Sequence, residues 1–121
     1  MILSNHMEYV TYDEFKKMDM RVGTIQSVEP VEGADKLLKC MVEIGDLDAD
    51  GQSVLRQIVS GIHEYYPDYE QLVGKQVLYI VNLEPRTIRG VESHGMLIAV
   101  GDGAPIFLVP ETPVAPGSKV R

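Results

Sequence analysis

Apolar and polar positions alternate along most of this chain with a period of two. The clearest run is Leu37 to Ile44, where Leu38, Cys40, Val42 and Ile44 share one face and Lys39 and Glu43 the other. That is the pattern of a strand with one buried side. Gln76 to Asn82 repeats it, with Val77, Tyr79 and Val81 set against Leu78 and Ile80. Val54 to Val59 and Met96 to Val100 read as further strands, and Ile106 to Val109 as a short one. Arg21 to Val28 is rich in β-branched residues, but Val22 and Ile25 differ in parity. Gly23 between them therefore predicts a bulge or a sharp bend.

Other segments break the period. Thr11-Tyr12-Asp13-Glu14 has capping-box spacing and predicts a short helix through Met18, with Phe15 and Met18 on one face. Asp46 to Gly51 is a polar turn ending in Asp-Gly. Gly61 to Gly74, with Pro67 inside, predicts one or two helical turns, and Pro85 to Ser93 predicts a loop. Met1 to His6 carries no pattern and reads as a leader or a non-native remnant, which leaves 7–121 as the domain. The sum is an all-β chain: a five-stranded OB-fold barrel with a short N-terminal helix, a helical insert between strands three and four, and a C-terminal extension from Pro110. Closure of such a barrel leaves no long strand edge unpaired.

A length of 121 residues supports one core rather than two. No apolar run approaches the roughly 18 residues of a membrane helix, so no membrane partner is expected. The single cysteine, Cys40, excludes an intramolecular disulfide and fits a reducing compartment, so the expected address is cytoplasmic. The net charge of −7 counts against a nucleic-acid partner until it is located. Glu43, Asp46, Asp48 and Asp50 form one acidic run, and Glu64, Asp68 and Glu70 another. These seven equal the whole net charge, so elsewhere acids and bases balance and a locally basic face is possible.

Motifs for catalysis and metal binding fail on spacing. Asp46 to Gly51 imitates the opening of a calcium loop, but Gln57 stands where the bidentate Glu belongs. Gly90-Val91-Glu92-Ser93-His94-Gly95 lacks the Gly-x-Ser-x-Gly spacing, and adjacent Ser93 and His94 would point to opposite faces of an extended chain. Cys40, His63 and His94 have no zinc spacing, and neither a P-loop nor a dinucleotide fingerprint is present. No catalytic residue, metal or cofactor is expected.

Four stretches carry more information: Asp19-Met20-Arg21-Val22-Gly23-Thr24-Ile25; Ala34-Asp35-Lys36-Leu37; Arg56-Gln57-Ile58-Val59-Ser60-Gly61-Ile62; and Asn82-Leu83-Glu84-Pro85 continuing through Gly90 to Ser93-His94-Gly95-Met96-Leu97-Ile98-Ala99. In this order and spacing, over about residues 11 to 121, the chain resembles the tRNA-binding OB domain family. That family includes the C-terminal domain or separate beta subunit of methionyl-tRNA synthetase, a stand-alone structure-specific tRNA-binding protein, the endothelial monocyte-activating polypeptide and a secretion-related chaperone-like branch. The chain departs from many members at Val31 and Glu32, where they carry His-Pro. The resemblance implies a homodimer joined through N- and C-terminal segments, and binding to the outer corner of the tRNA L shape. It also implies service to a methionyl-tRNA synthetase catalytic subunit, with protein binding by the chaperone branch as the rival reading.

Carried over residue by residue, the resemblance implies a tRNA site at Lys36, Arg56, Asn82, Arg86, Arg89, Ser93 and Met96. Each has a structural alternative. Lys36 either meets phosphate or pairs with Asp35 or Glu32. Arg56 either reaches the RNA face or lies beside a carboxylate. Arg86 and Arg89 either fork phosphate oxygens or pair with Glu84 and Glu92. Asn82 and Ser93 either face RNA or satisfy loop backbone, and Met96 either makes an adaptable contact or fills the core. Arg21 pairs more naturally with Asp19.

Overall fold

Helix α1 (Tyr12–Lys17) begins where the capping box puts it. The Glu14 amide donates to Thr11 Oγ1 and the Thr11 amide to Glu14 Oε1, both at 3.1 Å. The computed structural model describes residues 7–121, so the expected leader at 1–6 lies outside the described residues. After α1 the chain is mostly β: β1 (Met20–Val31), β2 (Ala34–Glu43), β3 (Arg56–Ser60), β4 (Gln76–Ile80), β5 (Arg86–Ile88), β6 (Val91–Ser93), β7 (Met96–Leu97), β8 (Ala99–Val100) and β9 (Ile106–Phe107). Five of these form one antiparallel sheet in the order β3-β2-β1-β4-β7, while β5–β6 and β8–β9 are separate pairs.

The alternation read along β2 and β4 is the core. Leu38, Val42, Ile44, Ile58, Val77 and Tyr79 are buried together, with Cys40 among them. Burial pushes the Cys40 thiol up to about 11, as expected of an inert core thiol rather than a reactive one. Among the described residues no helix is long and apolar enough to cross a membrane.

Several expectations need correction. The five-strand sheet does not close into a barrel: β3 and β7 are its two edges and no ladder joins them. The chain at 92–95 lies against β3 but spends mixed contacts there. The His94 amide donates to Gln57 O (3.0 Å), Gln57 Nε2 donates to Glu92 O (2.7 Å), and the Val59 amide is taken by the Ser93 hydroxyl (2.9 Å) where a ladder would offer a carbonyl. The helical insert between β3 and β4 consists of turns and a single 3-10 helix, Tyr69–Leu72, which buries Leu72. Pro67, with no amide to donate, stands just ahead of it.

Gly23 makes no bulge: β1 runs through it in unbroken register with β4, and Gly23 and Ile25 share the buried face. The glycine is needed because an added Cβ would meet Val42 Cγ1 at 2.5 Å and the Tyr79 ring at 3.1 Å. The shifts in β1 register lie further on, between Ile25 and Ser27 and between Pro30 and Val31. The expected strand at Met96 to Val100 is divided at Ile98, its first half pairing with β4 and its second with β9.

The expected loop at Pro85 to Ser93 contains the hairpin β5–β6, closed by Arg89-Gly90 with φ of 52° and 81°. Two positive φ values across a two-residue loop are the signature of a type I′ turn. The tail is partly used by the fold: the Gly117 amide donates to Val22 O, the Val22 amide to Ser118 O and the Val120 amide to Met20 O.

Candidate nucleic-acid interface

β2 and β3 pair from Leu38↔Ser60 at one end to Val42↔Arg56 at the other. At the Leu38 end the β5–β6 hairpin folds against the sheet and leaves a groove of about 390 Å³. Its walls are largely apolar, with Leu37, Val59, Ile62, Ile88 and Met96, and Arg86 and Glu84 line it as well. Leu37 also lines a neighbouring hollow of about 430 Å³ that holds Lys36 and Arg89, so the two depressions adjoin.

The cations here are exposed and open. Among the described residues, none of Lys36, Arg86 or Arg89 has a carboxylate within 4.0 Å. The expected competitor Glu92 lies 3.6 Å from His94 Nε2 instead. Arg89 Nη2 donates to Gly33 O at 3.2 Å, which ties the hairpin tip to the β1–β2 turn and holds the guanidinium over the hollow. Arg89 is also the one non-glycine among the described residues with positive φ. A bulky side chain held in the left-handed region is a local strain of the kind that gathers at functional sites.

The structure brings Lys36, Arg86, Arg89, Ser93 and Met96 to this end and leaves Arg56 and Asn82 elsewhere. Ser93 is 4% exposed; its hydroxyl accepts from the Val59 amide and donates to Gly95 O, so it fastens the hairpin rather than facing a ligand. Met96 is exposed on the groove wall. Asn82 accepts from the Asp19 amide (2.9 Å) and donates to Lys17 O (2.6 Å), tying the end of α1 to the chain that leaves β4.

Arg56 belongs to a closed network. Its Nε and Nη2 hold both Asp46 oxygens at 2.8 and 2.9 Å, and its Nη1 donates to Val81 O (2.7 Å) and His94 O (3.3 Å). Arg21 is engaged alike, by Asp19 at 2.9 and 2.8 Å and by Ile44 O at 3.3 Å. The calcium-like run is a turn: the Asp48 carboxylate accepts from the Asp50 and Gln52 amides, both at 2.9 Å. Among the described residues no three His, Cys, Asp or Glu side chains gather as a metal site. Sequence reasoning missed Ile62 and Glu84 as groove residues. Glu84 has a signal in the sequence, its place between Leu83 and Pro85 in the fourth stretch.

The fold is antiparallel β, with exposed cations in and beside an apolar groove. Residues 20–119 match the family model described as "Putative tRNA binding domain", and the chain belongs to that tRNA-binding domain family. Methionine--tRNA ligase of Methanoculleus marisnigri is 47% identical over 116 residues, covering 95% of this chain and 16% of that protein. The Thermococcus kodakarensis enzyme is 44% identical over 116 residues, covering 95% and 15%. The chain thus spans about one sixth of the length of these curated relatives. Among solved structures, a MetRS-related protein from Pyrococcus horikoshii is 35% identical with a TM-score of 0.76, covering 95% of this chain and all of that one. The CsaA chaperone protein from Picrophilus torridus is 28% identical with a TM-score of 0.76, covering 93% of this chain and 100% of that one.

Proposed function

We propose that this chain is a non-catalytic, cytoplasmic tRNA-binding module that serves a methionyl-tRNA synthetase as a beta subunit or appendage. It binds the L-shaped tRNA and raises its effective concentration near the catalytic partner. One observation carries the reading: Lys36, Arg86 and Arg89 stand without carboxylate partners around two adjoining depressions, at the end of the sheet opposite the acidic turn. RNA helices are recognised mainly through shape, phosphate and 2′-hydroxyl contacts, and three cations on a rigid hairpin and turn suit that task. Met96 adds an apolar contact. Ser93 positions the groove by fastening its hairpin, whereas Arg56 and Asn82, whose polar atoms are taken up within the fold, hold the structure away from it.

The module works as a homodimer. The exposed apolar residues Met7, Tyr9, Val10 and Tyr12 near the N-terminal end, with Ile106 and Val109 in the C-terminal part, support this. Sedimentation at micromolar concentration should give twice 13.5 kDa; a single 13.5 kDa species would remove the dimer from the proposal.

A gel shift with total tRNA tests the function. Three phosphate contacts predict that log affinity against log salt falls with a slope of roughly −2 to −3 per subunit, at about 0.7 to 0.9 per contact. A second reading, a protein-binding chaperone, is favoured by the apolar groove walls and the 28% identity to a CsaA chaperone. Capture of unfolded peptides without salt-sensitive tRNA binding would put that reading first.

A further inference from the structure

A carboxylate is out of place in a site for a polyanion, and the groove contains one. Glu84 lines it together with Arg86 and is exposed. Among the described residues it enters no ion pair within 4.0 Å. It is the one carboxylate among the described residues that lines this groove. Glu84 repels phosphate unless something in the RNA donates to it.

The groove walls narrow what that donor is. Leu37, Val59, Ile62 and Met96 offer apolar surface that suits the face of a ring rather than a phosphate. A volume of about 390 Å³ falls within the range of pockets that take small ring systems, roughly 300 to 1,000 Å³. An ionised carboxylate is acceptor-only, with two oxygens side by side. Guanine alone among the four bases presents two adjacent donors, N1–H and N2–H, on its Watson–Crick edge. Adenine and cytosine set one amino donor beside a ring acceptor that faces the carboxylate unfavourably, and uracil sets one donor between two acceptors.

We infer that, within the tRNA-binding reading, the groove takes one unstacked guanine, with its Watson–Crick edge on Glu84 and its flanking phosphate on Arg86. Sequence-specific reading of RNA works this way, on splayed bases of single-stranded segments. Charge complementarity favours this occupant over an apolar peptide side chain, which would leave Glu84 and Arg86 without a role.

The test uses the full chain and labelled oligouridine hexamers with one central G, A, C or inosine. Wild type should bind the G probe roughly 5- to 150-fold tighter than all-U, the discrimination of one good bidentate base contact. Inosine, which lacks the N2 amine, should fall between. Glu84→Gln keeps the size of the side chain at an exposed site and removes the paired acceptor. It should erase the preference while all-U binding holds or tightens slightly. If wild type binds all probes with salt-sensitive affinity but no preference, or if Glu84→Gln tightens G and U probes equally, the guanine site is overturned and the tRNA reading stands. If wild type binds neither tRNA nor any probe at low salt, the tRNA reading falls and the guanine site with it. Capture of apolar peptides alone would then assign the groove to a polypeptide.

Discussion

Arginine serves opposite purposes at the two ends of the β2–β3 ladder. At the Val42↔Arg56 end, Arg21 and Arg56 each clasp a carboxylate with two nitrogens and turn a third toward backbone carbonyls. At the Leu38↔Ser60 end, four residues or about 13 Å away at 3.3 Å per residue, Arg86 and Arg89 meet no carboxylate. The difference explains how a chain of net charge −7 can serve a polyanion. The acidic turn between β2 and β3 adjoins cations that neutralise part of it locally. The groove end lies beyond a Debye length of about 8 to 10 Å in ordinary salt and is screened from that turn.

The largest expected effect breaks the closed end. Arg56 and Asp46 side chains are each 22% exposed, so the pair is substantially desolvated. Arg56→Ala leaves the Asp46 carboxylate without its partner and two carbonyls without a donor. We expect a loss of about 3 kcal/mol, or roughly a 10 °C drop in Tm, with the remaining folded protein binding tRNA at near wild-type affinity. A variant that keeps its Tm but loses tRNA would move Arg56 to the open set and dissolve the comparison.

The next effect strips the open end. Arg86→Ala with Arg89→Ala should weaken tRNA binding roughly 10- to 100-fold, as two solvent-exposed contacts of about 0.7 to 1.4 kcal/mol each would, and flatten the salt slope by about 1 to 2. Thermal melts should stay within a few degrees of wild type. Wild-type affinity and slope in a folded double variant would take the hairpin out of the RNA site.

A smaller effect separates backbone from side chain at Arg89. Arg89→Gly removes the left-handed strain, about 1 kcal/mol, and gives up one exposed 3.2 Å hydrogen bond to Gly33. It should gain a few tenths to about 1 kcal/mol of stability while losing tRNA affinity. Arg89→Ala should lose the same affinity without the gain. If both variants melt well below wild type, Arg89 is a structural tie like Arg56.

The sequence carried local features well and remote ones poorly. The Thr11–Glu14 box is contained within four residues, and the β2 and β4 alternation reports burial directly, so both were readable. The β5–β6 hairpin was missed because its strands have three residues each and its turn is Arg-Gly rather than Asn-Gly. Open closure was missed because Ser93 reaches Val59 across 34 positions. Arg56 and Asn82 drew attention as RNA contacts for the same reason: their partners lie 10 to 65 residues away. The closeness of Val42 and the Tyr79 ring, which requires glycine at 23 without a bulge, has no signal along the chain.

The smallest effect sharpens the closed end by pH. Arg21, hydrogen-bonded to Asp19, holds that carboxyl below its ordinary 3.8; burial opposes the shift, and Lys119 Nζ, 3.9 Å away, assists it. A carboxylate whose folded pKa is depressed contributes stability that is complete above the unfolded value. That contribution is lost as pH falls through the folded value. Between pH 5 and 9 the Asp19–Arg21 pair should therefore add a constant amount, and below about pH 4 the amount should shrink. Asp19→Asn removes the titrating group and leaves the Asn82 contact to the residue 19 amide in place. Urea midpoints for wild type should exceed those of Asp19→Asn by a fixed margin above pH 5, with the margin closing toward pH 2. A margin that stays constant to pH 2 would mean that the pair does not couple to folding through its proton. The closed end would then rest on the hydrogen bonds Arg21 makes to Ile44 and Arg56 to Val81 and His94.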